Sequence, residues 1–183
     1  TGNGLVEIGE SAFQISTIQN IPFNQITSIG KYAFSGCNNL QNVDLSNVTT
    51  ISSYAFENAK GLGEIELTNV KTVGSFAFRN SDVTKVNAST ISLLNEGAFA
   101  ECRSLQELTA ENVITVSKSV FKECTSLVTV KLPLATTLGN DVFYNSSLKY
   151  INLPVTTKLG NNVFAGCQNL KAVSLPETEK IGT

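Results

Sequence analysis

The sequence predicts a solenoid in which coils of 21 or 22 residues stack side by side and pair their short strands into a parallel sheet. Three observations predict this fold class. Phenylalanine recurs at that period, a fixed series of aliphatic residues follows each phenylalanine, and apolar and polar residues alternate within the series as they do in a strand. Because a single coil cannot bury its apolar side alone, neighbouring coils must stack to form a core.

Eight phenylalanines set the period, at successive spacings of 21, 22, 22, 21, 22, 22 and 21 residues. They are Phe13, Phe34, Phe56, Phe78, Phe99, Phe121, Phe143 and Phe164, and each follows an alanine or a valine. We expect these rings to form an in-register column in the core and not an exposed aromatic strip. With strands about 4.8 Å apart, roughly eight coils would make a body about 35–40 Å long.

The aliphatic series predicts where the strand of each coil lies. After Phe56 it consists of Leu62, Ile65, Leu67, Val70 and Val73. The predicted strand segments read LQNVDL, LGEIEL, LQELTA, LVTVKL, LKYINL and LKAVSL, and their alternation turns one apolar set inward. A second short extended piece, such as VTTIS, is expected on the opposite side of the coil. It leads into a tight turn or a single helical turn, such as YAFENA, which is too short for a full helix.

A period of 20–29 residues with L-x-x-L-x-L is the signature of leucine-rich repeats. The consensus of this chain, I-G-x-x-A-F-x-x-C-x-x-L-x-x-V-x-L-P, resembles more narrowly the BspA-like class of leucine-rich repeats. IGKYAFSGCNNLQNVDL and LGNNVFAGCQNLKAVSLP match that pattern closely, and the resemblance covers essentially the whole chain. The predicted fold is therefore a β-rich leucine-rich-repeat solenoid, with one short strand per coil in the parallel sheet and tight turns or single helical turns opposite.

Residues 1–183 are predicted to form a single domain of about eight coils. Solenoids need polar caps at their ends, and neither end of this sequence has the features of a cap. We therefore expect the chain to be a fragment of a longer array. Its exposed ends are candidates for end-to-end self-association.

Composition excludes several classes of function. The net charge is −2, so no general attraction to nucleic acid is expected, and the apolar runs are too short for membrane insertion. The chain has no histidine, which removes Ser-His-Asp and Cys-His nucleophile systems and histidine-ligated zinc. It contains neither a P-loop nor G-x-G-x-x-G. We therefore expect no catalytic, cofactor-binding or metal site, and no enzyme activity.

Four cysteines, Cys37, Cys102, Cys124 and Cys167, each stand three residues after a repeat phenylalanine and so share one column. The pattern favours a column of buried thiols, because small residues such as Ala59 replace cysteine at the same position. A disulfide between Cys102 and Cys124, on adjacent coils, is the alternative, although in-register side chains point in parallel. A metal site is disfavoured, because there is no C-x-x-C spacing and a linear column offers no tetrahedral set of ligands.

The outward residues of the strands form the candidate binding surface, because extended concave surfaces are the usual binding face of solenoids. On the predicted concave sheet the candidates are Asp44, Glu64, Glu66, Lys85, Glu107, Lys131, Lys149, Tyr150 and Lys171. The carboxylates gather toward the N-terminal and middle coils. Lysines gather toward the C-terminal coils, with Tyr150 beside them. A solvated face of mixed charge that only confers solubility is the alternative interpretation.

Glu64 and Glu66 raise the question of catalysis, because residues two apart on a strand share a face with Cα atoms about 7 Å apart. Paired carboxylates at that scale occur in glycosidases. A flat parallel sheet, however, offers neither a pocket nor an apolar wall to set one carboxyl apart from the other. The pair therefore does not predict an enzyme.

The resemblance to BspA-like proteins, which occur on the surfaces of host-associated bacteria and some protists, implies a function. It implies a noncatalytic protein-interaction module of a secreted or cell-surface protein, adhering to host extracellular-matrix proteins or to other cell-surface proteins. A glycan-binding module and a structural spacer that presents another domain remain alternatives. The N-x-S/T sequons at Asn47, Asn87 and Asn145 would matter only in a eukaryotic secretory source.

Overall fold

Each coil has two short extended segments separated by turns, and both kinds of segment pair in parallel with their counterparts in neighbouring coils. The computed structural model describes residues 6–182. The prediction of a single domain over residues 1–183 therefore includes residues 1–5 and 183, which lie outside the described part. Within it, the solenoid of about eight coils is confirmed, with one 3-10 helix at Phe23–Gln25 as its helical element.

In chain order the strands are β1 (Glu7–Ile8), β2 (Ser28–Ile29), β3 (Thr50–Ile51), β4 (Glu64–Glu66), β5 (Thr72–Val73), β6 (Lys85–Asn87), β7 (Leu93–Leu94), β8 (Glu107–Thr109), β9 (Thr115–Val116), β10 (Thr129–Lys131), β11 (Thr137–Leu138), β12 (Tyr150–Asn152), β13 (Lys158–Leu159) and β14 (Ala172–Ser174). We call the three-residue strands β4, β6, β8, β10, β12 and β14 the front ladder. The remaining two-residue strands form the back ladder. The second extended piece expected from the sequence is thus also a paired strand.

Alternation explains both ladders. In β4 the glutamates Glu64 and Glu66 are exposed while Ile65 between them is buried, and the other front strands follow the same order. Each back strand ends on one buried aliphatic residue, such as Ile51 in β3. β-Branched residues suit these half-buried positions because they pack well on a pleated surface. The two sets of inward side chains meet in one core.

The turn side of each coil is built around the repeat phenylalanine. Phe56 lies between two residues in the left-handed region, Tyr54 with φ 61° and Asn58 with φ 57°. The same pair of positive φ angles flanks the phenylalanine in the other coils. The turns also hydrogen-bond from coil to coil, as when the Phe56 amide donates to the Ala77 carbonyl at 2.7 Å. The expected tight turn is therefore also a line of contact between coils.

The phenylalanine column is a continuous stack, which confirms the core interpretation. Successive ring centroids lie 5.2 to 6.1 Å apart, and the rings are 3° to 12° from parallel. The six rings from Phe34 to Phe143 are completely buried. Phe13 and Phe164 are half-buried. Stacked aromatic pairs contribute beyond their area burial, so this column links all the coils through their interior.

One predicted strand is wrong. LQNVDL, residues 40–45, is irregular in the structure and is not one of the strands. Asn42 lies in the left-handed region with φ 54°, which turns the chain out of the extended conformation. In the preceding coil the Phe23 amide donates within its own turn, to Ile21, whereas its counterpart Leu67 donates to the next coil. The front ladder therefore begins at β4.

The two ladders are interrupted at different coils. The back ladder consists of the sheets β1-β2-β3-β5 and β7-β9-β11-β13, so its gap lies between β5 and β7. Side chains bridge this gap: the Asn95 amide donates to the Val73 carbonyl at 2.7 Å, and the Thr90 hydroxyl donates to Val70 at 2.7 Å. The front ladder consists of β4-β6-β8-β10 and β12-β14. We call its gap, between β10 and β12, the front seam.

Candidate functional site

The cysteine column is a set of hydrogen-bonded free thiols, which confirms the packing interpretation and not the disulfide. Cys37, Cys102 and Cys124 are buried, and Cys167 is half-buried. Each thiol donates to the carbonyl of a repeat phenylalanine one coil earlier, for example from Cys102 to Phe78 at 2.9 Å. Each of these carbonyls also accepts a hydrogen bond from an amide of its own turn, so the thiol adds a second hydrogen bond that links the turn to the next coil.

Burial makes the thiols of Cys37, Cys102 and Cys124 poor nucleophiles. It raises the pKa of Cys102 to about 12 and raises the pKa values of Cys124 and Cys37 as well. A thiolate is the reactive form of cysteine, and these thiols stay protonated at neutral pH. The cysteines thus have a structural role, and the candidate binding residues lie elsewhere.

The front ladder arranges its outward residues in two aligned columns. In the first, Glu64, Lys85, Glu107 and Thr129 are direct neighbours across β4, β6, β8 and β10. In the second, Glu66, Asn87, Thr109 and Lys131 are neighbours in the same strands. Beyond the front seam, Tyr150 lies opposite Ala172 and Asn152 opposite Ser174. From β4 onward the predicted outward residues are therefore aligned within each of the two sheets of the front ladder.

The acidic end of this surface is less uniform than the sequence suggests. Lys85 lies between Glu64 and Glu107, and its ammonium is 3.9 Å from the Glu107 carboxylate. Both of these side chains are about half exposed, so the pair contributes little to stability. Asp44 lies off the ladder in the irregular segment, where hydrogen bonds from Ser46 lower the pKa of its carboxyl. Asp44 thus shapes a turn.

The basic end brings four of the candidate residues around the front seam. Tyr150 is the first residue of β12, and its side chain is 59% exposed. Lys149 precedes it, and the Lys171 amide in the next coil donates to the Lys149 carbonyl at 2.9 Å. Lys131 ends β10 on the other side of the seam. All three lysines are exposed.

Two clefts open along the front seam. The first, of about 480 Å³, runs across β10, β12 and β14 and includes Tyr150 and Ala172 in its lining. The second, of about 210 Å³, is lined by Lys131, Pro133 and Pro154 among others. The core is also less covered here, because Val130 and Ile151 are 7% and 5% exposed whereas Leu108 in the paired strand β8 is completely buried. The seam is therefore a shallow depression in the front surface, above a core that stays buried.

The geometry does not assemble a catalytic centre from Glu64 and Glu66. Both carboxylates point to solvent from one exposed strand, and neither lines the two clefts at the seam. Among residues 6–182, no group of three or more His, Cys, Asp or Glu side chains is placed to hold a metal ion. In the same part of the chain, no helix has the length and apolar character needed to cross a membrane.

A family model described as the BspA type leucine-rich repeat region matches the chain in six copies, over residues 1–106 and 92–183. The chain belongs to this BspA-type family. The match confirms the resemblance carried by the phenylalanine and cysteine positions of the repeat. No curated protein matches the sequence at a significant level.

Solved structures of similar proteins confirm the BspA-type solenoid. A leucine-rich-repeat protein from Bacteroides ovatus is 24% identical with a TM-score of 0.67, and the match covers 97% of this chain and 55% of that one. A leucine-rich cell surface protein from Faecalibacterium prausnitzii is 26% identical with a TM-score of 0.66, covering 95% and 43%. The pneumococcal vaccine antigen PcpA is 22% identical with a TM-score of 0.54, covering 92% and 53%. The chain thus spans about half of each of these structures.

Two features of this BspA-type chain were missed by sequence reasoning. Asp82 accepts hydrogen bonds from the amides of Gly61 and Leu62 in the preceding coil, at 2.8 and 3.0 Å, just before β4. The sequence signal for this contact is an aspartate one coil after the stretch Gly-Leu-Gly.

On the turn side, Tyr32, Tyr54 and Phe76 form a second aromatic stack, with centroids 4.9 and 5.3 Å apart. Since their faces cover one another, these rings present mainly edges to a ligand.

The sequons differ in their surroundings. The Asn47 side-chain amide donates to the Asn24 carbonyl at 2.7 Å, and the Asn145 amide donates to Glu123 at 2.8 Å. Asn87 is a half-buried residue of β6. A glycan on Asn47 or Asn145 would have to replace a contact between coils.

Proposed function

We propose that the chain is a noncatalytic protein-interaction module of a secreted or cell-surface protein, and that it adheres to host extracellular-matrix proteins or other cell-surface proteins. The observation that carries the proposal is the front ladder, whose outward side chains are held in register at fixed spacing. Acidic residues dominate its β4–β8 end, and the exposed Lys131, Lys149 and Lys171 belong to the coils at the end that holds Tyr150. A rigid surface of graded charge suits recognition of a partner protein.

Family membership supports the cellular location. One similar structure is a cell surface protein of Faecalibacterium prausnitzii, and another is a pneumococcal vaccine antigen. A surface protein of this kind meets matrix proteins and the surfaces of other cells. Binding through the front ladder needs no cofactor, since charge, hydrogen bonds and apolar contact suffice.

Direct binding tests the proposal. The chain is applied to immobilised fibronectin, fibrinogen, collagen and laminin, and to a glycan array, by surface plasmon resonance. A triple variant, Lys131→Glu, Lys149→Glu and Lys171→Glu, reverses the basic end of the front ladder. We expect micromolar or tighter binding to at least one matrix protein and at least a tenfold loss in the variant.

The matched control reverses three lysines outside the front ladder, Lys31→Glu, Lys118→Glu and Lys122→Glu. It produces the same change in net charge, and we expect it to keep the affinity of the wild type within about twofold. Equal losses in both triple variants would mean that net charge alone drives binding. An absence of binding to every matrix protein at tens of micromolar would contradict the adhesion proposal.

A further inference from the structure

We infer that the front seam is a binding cleft for an extended, acidic segment of a partner protein. The inference rests on the proposed protein-interaction function and goes beyond it by naming one site and one class of ligand. Its basis is an interruption of the ladder where two clefts, one exposed aromatic ring and three lysines meet.

The shape of the seam accommodates an extended chain. The larger cleft crosses three successive strands, and its volume of about 480 Å³ is in the range of ordinary ligand sites. Ala172, directly beside Tyr150 in the register, is too small to cover the aromatic ring on that side. The ring and the small side chain form a step against which an apolar side chain of a ligand can pack.

The backbone of the seam offers further contacts. β10 and β12 are not paired with each other among the described strands, whereas β8 pairs with β10 and β12 with β14. Residues of both unpaired edges line the larger cleft. Strand edges that are not joined in a ladder, beside a groove, favour a ligand that brings its own main chain, as in recognition of extended peptides.

The lysines near the front seam favour an acidic ligand. Lys149 and Lys171 directly precede Tyr150 and its register partner Ala172, and Lys131 ends β10 on the other side of the seam. Glu111 lines the smaller cleft together with Lys131. Glu107, one strand further along the ladder, already lies beside Lys85. Among the residues that the structure describes, no aspartate or glutamate lines the larger cleft, and exposed lysines adjoin its lining residues Tyr150 and Ala172 in the chain. This balance of charge complements aspartate or glutamate side chains of a ligand.

Fluorescence anisotropy with defined peptides tests the inference. The probe is a fluorescein-labelled hexapeptide, Glu-Glu-Val-Glu-Phe-Glu, and the control peptides carry glutamine or lysine in place of glutamate. We expect the acidic peptide to bind at least tenfold more tightly than either control. Raising the salt concentration from 50 to 500 mM should weaken the binding, because part of it is electrostatic.

Two variants locate the site. Tyr150→Ala removes the aromatic wall, and the double variant Lys149→Gln and Lys171→Gln removes the charge of the two adjoining lysines. Each should weaken the acidic peptide at least tenfold. The matched control, Lys118→Gln and Lys158→Gln, removes the same charge outside the front ladder and should leave the affinity within twofold. Unchanged binding in Tyr150→Ala would overturn the inference, since a diffuse positive surface would then be the attractant.

Competition and the matrix panel give the remaining outcomes. If polygalacturonate displaces the peptide more effectively than polyglutamate of equal charge, the cleft recognises acidic sugar and the peptide inference is overturned. If a matrix protein binds the wild type and Tyr150→Ala equally while the acidic hexapeptide does not bind, the proposed function stands and the seam is not its site. If Tyr150→Ala loses binding to both the matrix protein and the acidic hexapeptide, the inference is supported.

Discussion

The turn side and the front side of the same coils differ in how strictly they repeat. On the turn side every coil places a phenylalanine between two left-handed residues, and the rings stack from one end to the other. On the front side the outward residues change from strand to strand, and the ladder starts late and opens at a seam. Buried positions must match both neighbouring coils at once, whereas exposed positions need only remain soluble. The residues on the buried side of each coil therefore repeat more strictly than those on the exposed side.

The largest loss of stability is expected at the centre of the phenylalanine stack. Phe99→Ala removes a completely buried ring that lies 5.2 Å from Phe78 and 6.1 Å from Phe121. We expect the free energy of unfolding to fall by about 3–5 kcal/mol. Urea denaturation followed by circular dichroism measures the change. Glu107→Gln, on the front side, is the control and should cost less than ~1 kcal/mol; equal costs would remove the distinction between the two sides.

A smaller effect is expected where one side chain secures the irregular start of the front side. Asp82→Ala leaves the amides of Gly61 and Leu62 without their acceptor, and it should cost about 1–3 kcal/mol. Asp82→Asn keeps one oxygen and should lose less. Hydrogen exchange of these two amides distinguishes a local role from a global one. Unchanged exchange in Asp82→Ala would show that the carboxylate does not hold this segment.

The smallest effect at neutral pH is expected in the thiol column. Cys102→Ala loses the hydrogen bond to Phe78 but keeps a small residue, as Ala59 already does in the same column, so the cost should be about 1 kcal/mol. Urea midpoints of the two proteins at pH 7 measure this cost.

The thiol also predicts a pH dependence of stability. The pKa of Cys102 is raised from 9.0 to about 12, so between these values the folded protein retains a proton that the unfolded chain releases. The free energy of unfolding should therefore decline with rising pH, by up to ~1.4 kcal/mol per pH unit for this one group. Urea midpoints from pH 8 to 11 should show a shallower decline in Cys102→Ala and in the nontitrating Cys102→Ser. An identical decline in wild type and variants would contradict this linkage.

The regular part of the fold could be predicted because its signal is repeated. The column of Phe56 and the column of Cys102 are each represented in many coils, so a single unusual residue could not hide them. The same reasoning placed Glu64, Lys85 and Tyr150 among the outward residues. Glu64 and Lys85 are register partners, and Tyr150 is exposed at the start of β12. The residues that stacking requires recur along the chain, so they can be identified from the sequence alone.

The rest depends on single residues. The left-handed conformation of Asn42 removes one strand, and the carboxylate of Asp82 accepts hydrogen bonds from two amides of the segment just before β4. No periodic pattern signals either one. The front seam is equally local, because coil length does not decide it: both β4 to β6 and β10 to β12 are 21 residues apart, and only the first pair is joined. The candidate binding cleft could therefore be found only from the structure.

The staggering of the two ladders has a consequence for how such an array changes over generations. At the front seam the back ladder is continuous from β7 to β13, and at the back gap the front ladder is continuous from β4 to β10. An interruption of pairing on one side of a coil therefore leaves the opposite side to hold its neighbours together. A gene that gains and loses repeats by duplication and deletion can therefore retain such imperfect copies. Each tolerated irregularity gives selection a new surface on which to act.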